Sequence, residues 1–109
     1  MKNLGLIDLV PSEFFLSQNY PNPFSERTTI KLCVAYKTRV TLEVLDSEGK
    51  TVGTLLDEEK EAGTYEIEFP PKNGGDACTL SEGVYVYRLR AGEFSATKRM
   101  LLLKRELPP

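Results

Sequence analysis

With 109 residues, 40% of them apolar and 28% charged, the chain can bury a core of its own, and nothing in its composition points to disorder. Its 16 acids against 14 bases leave a formal net charge of −2, which excludes an overall positive field for nucleic acid or an anionic membrane. The absence of histidine removes the commonest general base, the usual partner of a nucleophilic Ser or Cys, and the imidazole ligand of most catalytic zinc, so neither an enzyme nor a cofactor is expected.

Apolar residues recur at strand period between turn residues, and no window holds helical spacing for ten positions or more. Met1-Lys2-Asn3-Leu4-Gly5 lacks the apolar stretch of a signal peptide, and no run approaches the ~20 apolar residues of a transmembrane segment. An exported protein is therefore expected to carry this chain as a fragment. Residues 1–12 read as a linker or N-terminal extension.

A short strand is expected around Phe14-Phe15-Leu16. The block that follows, Gln18-Asn19-Tyr20-Pro21-Asn22-Pro23-Phe24, contains two prolines that cannot donate to a ladder, and it reads as an ordered turn or crossing. From Thr28 to Ala35, Ile30, Leu32 and Val34 take the core face. Val40, Leu42 and Val44 repeat the pattern. Asp46-Ser47-Glu48-Gly49 forms the hairpin turn, with Gly49 at positive φ, and Lys50 to Leu56 returns as the partner strand.

Asp57 to Glu61 reads as a solvated acidic loop. Thr64 to Phe69 is expected to bury Tyr65, Ile67 and Phe69 and to end at Pro70-Pro71. Lys72 to Glu82 is the longest loop. Gly83 to Ala91 points Tyr85, Tyr87 and Leu89 inward, so these tyrosines read as core rather than as a sugar platform. After a turn at Gly92-Glu93, Phe94 to Leu103 is the last strand, and both faces of its Met100-Leu101-Leu102-Leu103 run are expected to be covered. Residues 105–109 form a tail. Cys33 and Cys78 lack metal-site spacing and are expected to be free thiols.

Seven strands over about 90 residues describe an all-β immunoglobulin or fibronectin type III-like sandwich of antiparallel strands, spanning residues 13–104. No Cys…Trp…Cys core is present, so antibody-type domains are excluded.

The laid-out strands carry further sequence patterns. The LxQNYPNPF pattern stands as Leu16 to Phe24. VxLxVYDxxGxxV is matched from Val40 to Val52 with Asp46 and Gly49 in place, and AGxY is Ala62-Gly63-Thr64-Tyr65. SGVYFYRLxAG is similar to Ser81 to Gly92, through Gly83, Tyr85 and Tyr87, with Glu82 inserted. TKKMxLLK is matched by Thr97-Lys98-Arg99-Met100-Leu101-Leu102-Leu103-Lys104. In these residues the chain resembles the C-terminal sorting domain of the type IX secretion system, a relative of the Ig-like domain of the flagellar hook-capping protein.

That resemblance implies a non-catalytic tag on a larger upstream cargo. Its implied partners are the outer-membrane secretion machinery and a sortase-like protease, and its destination is the cell surface or the exterior. The terminal segment Lys98 to Lys104 is expected to dock edge-on to a receptor sheet. The motif residues, Gln18 to Phe24 among them, are expected to be mainly structural. A structural or carbohydrate-binding accessory domain of an extracellular enzyme is the alternative.

Overall fold

The alternating segments form strands because one face of each can be buried against the opposing sheet while the other stays wet. The computed structural model describes residues 12–71 and 80–104, and among these it places seven strands: β1 (Phe15–Leu16), β2 (Thr28–Val34), β3 (Thr38–Leu45), β4 (Thr51–Lys60), β5 (Gly63–Phe69), β6 (Gly83–Ala91) and β7 (Phe94–Leu102). The three-stranded sheet has the order β1-β2-β5 and the four-stranded sheet β4-β3-β6-β7, with every ladder antiparallel. This is the sandwich expected of the sequence.

The core lies where the inner faces meet. Ile30, Leu32 and Val34 of β2 face Val40, Leu42 and Val44 of β3, with Tyr87, Leu89, Met100 and Leu102 from β6 and β7. All are almost wholly excluded from solvent. Gly49 has φ 86°, as the hairpin requires, and Asp46 closes that turn by accepting the amides of Glu48 and Lys50 on Oδ1, both at 2.9 Å.

Two further turns share one construction. The Tyr65 hydroxyl donates to the Glu61 carbonyl at 2.7 Å, and the Tyr85 hydroxyl donates to the Ser81 carbonyl at 2.6 Å, each four residues back along the chain. In both, a glycine, Gly63 or Gly83, stands two positions before the tyrosine. The arrangement matches the tyrosine corner of Ig-type sandwiches, in which a phenol pins the entry to a strand.

Several expectations are corrected. The acidic run from Asp57 to Lys60 is the second half of β4 rather than a loop. Cross-strand partners hold it extended: Arg39 on β3 meets Asp57 at 2.8 Å, and Thr38 pairs in register with Lys60. Only Phe69 of β5 is buried, while Tyr65 and Ile67 are half-buried, because β5 is an edge strand with one neighbour. The last strand is not covered on both faces either, since Leu101 is half-buried and Leu103 is 43% exposed. Cys33 is a free thiol on the outward side of β2, opposite Thr64. Cys78, most of the Lys72–Glu82 loop, and the 1–11 and 105–109 segments lie outside the described residues.

Candidate docking surface at the terminal strand

β7 is the edge of the four-stranded sheet, and an edge strand presents unpaired amides and carbonyls to any strand that approaches. Here the C-terminal half of that edge is already occupied. The Gln18–Phe24 block crosses from the three-stranded sheet and lies along β7 as a strap. Gln18 Nε2 donates to the Arg99 carbonyl. The Leu101 amide donates to Asn22 Oδ1 at 2.9 Å, the Phe24 amide donates to the Leu101 carbonyl at 3.0 Å, and the Leu103 amide donates to the Phe24 carbonyl at 2.9 Å.

Each residue of the strap has a place that its chemistry explains. Pro21 and Pro23 have no N–H to offer, so side-chain amides of Gln18 and Asn22 supply the donor and acceptor that a regular strand would supply from its backbone. Asn19 is 2% exposed and forms the knot that holds the crossing. Its Nδ2 donates to the Pro21 carbonyl and to Thr28 Oγ1, both at 3.0 Å, while its Oδ1 accepts from Gln18 Nε2 at 2.7 Å. Thr28, buried beside it, donates in turn to the Pro21 carbonyl at 2.7 Å.

Phe24 closes the end of the sandwich. Its ring is 2% exposed and meets Phe69 edge-on, with centroids 6.1 Å apart. Tyr20 does the opposite. Its backbone exchanges two hydrogen bonds with Thr29 at 3.0 Å, yet its ring is 81% exposed. Beside the strap an open groove of about 530 Å³ is lined by Pro21, Pro23, Phe24, Glu26, Arg27 and Leu103 among the described residues.

Along β7 the docking candidates divide by parity. Met100 and Leu102 are buried in the core, and Lys98 shares their inward register opposite Tyr87. Arg99 and Leu101 turn outward, opposite Val86 and Val84. Lys104 follows the strand, and its amide donates to Glu82 Oε1 at 2.7 Å, which gives the inserted glutamate a structural task at the strand end. The terminal edge is thus not free for strand addition between Arg99 and Leu103, because the strap already makes those bonds. Pattern reading missed this, since the partners lie about 80 residues apart in sequence.

Tyr85 and Tyr87 are 5% and 0% exposed, so neither forms a sugar platform. The Tyr87 hydroxyl donates to the Ser17 carbonyl at 2.6 Å and so fixes the start of the strap from the middle of the other sheet. Burial pushes that phenol up to about 12, partly offset by a hydrogen bond from the backbone of Asn19, and burial raises Tyr85 as well.

A family model described as the secretion system C-terminal sorting domain matches residues 18–103, from the first residue of the strap to the residue after β7. No curated protein and no solved structure gives a significant match.

Proposed function

The chain belongs to the family of secretion-system C-terminal sorting domains, and from that premise we propose that it carries a larger upstream cargo through the outer membrane by the type IX machinery and delivers it to the cell surface. It acts by being recognised, not by catalysis. In this reading the machinery reads the terminal segment Lys98 to Lys104, and a sortase-like protease later separates cargo from tag. The observation that carries the proposal is the extent of the family match, which takes in both the strap and the terminal strand.

The geometry supports a role for the terminal segment as part of a folded unit rather than as a loose signal peptide. Met100 and Leu102 are core residues, and the strap is bonded to Leu101 and Leu103. Residues 11–109 appended to a periplasmic reporter in a type IX-competent host are expected to bring the reporter to the surface. A folded tag that leaves the reporter in the periplasm overturns the proposal.

A further inference from the structure

The outward face of a sheet in a sandwich is ordinarily polar, and the β2–β5 ladder obeys this: Thr29 stands opposite Glu68, Lys31 opposite Glu66, and Cys33 opposite Thr64, with Phe15 on the short β1 as a single exposed apolar residue beside them. The four-stranded sheet departs from it. On its outer face Leu45 stands opposite Val86, and two residues along β6 Val84 stands opposite Leu101. Val84 and Val52 are 44% and 39% exposed, and Leu45 is almost buried although it belongs to no part of the inter-sheet core. The two pairs are neighbours along β6 and Val52 lines one groove with Val84; a contiguous apolar patch, unlike scattered apolar residues, marks a contact site.

Charge surrounds the patch asymmetrically. Arg99 stands opposite Val86, and Arg88 and Arg90 continue the outward row of β6. Glu43 on β3 is bonded to Arg88 at 2.9 Å, while Asp46, Glu48 and Glu82 line a groove with Val52 and Val84 at the opposite end of the patch from Arg90. Asp57 and Glu59 lie on β4, two strands from β6 and three from β7. Arg90 and Arg99 are exposed, and among the described residues neither has an ion-pair partner.

Resting on the sorting reading above, we infer that the outer face of β6 and β7, with Val84, Val86 and Leu101 at its centre and Arg90 and Arg99 at its rim, is the surface by which a folded protein receptor holds the domain. The receptor meets it with an apolar centre and carboxylates placed against the two arginines. Strand addition at Arg99–Leu103 is closed by the strap, so the terminal strand is read from its face. A lipid surface fits less well, because among the described residues no aromatic side chain stands in the patch and the β4 half of the same sheet is acidic.

The reporter fusion to the whole chain tests this, with R90E/R99E and V84K/L101E compared against wild type and a K31E/K37E control of equal charge change on other surfaces. Thermal unfolding of each purified tag shows whether it is folded. Surface delivery is expected to fall at least tenfold for both face variants and to stay within twofold of wild type for the control. Folded face variants delivered like wild type overturn the inference while leaving the sorting role standing; a wild-type fusion that is not delivered removes the sorting role first. Should V84K/L101E unfold, R90E/R99E decides alone. Sedimentation of the tag with phosphatidylglycerol vesicles, lost in R90E/R99E, also overturns the inference in favour of a lipid partner.

Discussion

The Tyr87 hydroxyl, at the centre of the four-stranded sheet, donates a 2.6 Å hydrogen bond to the Ser17 carbonyl, immediately before the strap that covers β7. One bond therefore ties the middle of one sheet to the chain leaving the other. Tyr87→Phe keeps the ring and removes the donor, so the part-buried carbonyl loses its partner at a cost of about 1–2 kcal/mol. Urea unfolding measures it; an unchanged midpoint removes the tie.

The same phenol sets an alkaline limit. Its folded-state value stands near 12, above the ordinary value near 10, and its cause is burial. A raised folded value means that the native state holds the proton more tightly than the unfolded chain. The associated stability is complete below pH ~10 and is lost as pH climbs from ~10 towards ~12. Stability measured across that window is expected to fall more steeply for wild type than for Tyr87→Phe, and parallel curves refute the assignment.

Asn19 supports the strap from beneath, with both ends of its amide engaged in a site 2% exposed. Asn19→Ala removes the donor to Thr28 Oγ1 and leaves the Pro21 carbonyl with the Thr28 hydroxyl as its remaining donor, and about 2–3 kcal/mol of stability is expected to go with it. Because the strap supplies the bonding partners of the Leu101 and Leu103 amides, hydrogen exchange at those two positions is expected to accelerate beyond the global change. Exchange that rises uniformly over the chain argues against a local role.

Much of this architecture is legible locally. Alternation places Ile30, Leu32, Val34, Leu42, Tyr87 and Leu89 inside, because burial on a strand repeats every second residue whatever its neighbours are. Partners in sequence at long range are not legible in that way. The acidic run from Asp57 looks like loop by composition, and only pairing with Thr38 to Thr41 makes it strand. Tyr65 and Ile67 have the parity of core residues but sit on an edge strand, so parity overstated their burial. The outer-face patch is not legible for a related reason: Leu45, Val84 and Leu101 become neighbours only through the strand order.

Asp46, half-buried, accepts two backbone amides across a turn whose Gly49 has positive φ, and those bonds are open to solvent. Exposure lets water replace part of what is lost, so Asp46→Ala is expected to cost only about 1 kcal/mol. Asp46→Asn keeps an acceptor oxygen and is expected to recover most of that loss. Equal destabilisation by both variants points to charge rather than to turn geometry.

Two aromatic residues of the strap, four positions apart, are expected to answer substitution in opposite ways. Phe24 fills the end of the sandwich against Phe69, and Phe24→Ala exchanges a buried ring for a cavity at about 3–5 kcal/mol. Tyr20 is held by its backbone while its ring stands 81% in solvent, so Tyr20→Ser is expected to move stability by no more than about 0.5 kcal/mol. Denaturant midpoints of the two variants decide the matter. A large loss at Tyr20 contradicts the exposed placement of its ring, and a small loss at Phe24 contradicts the closure of the sandwich by the strap.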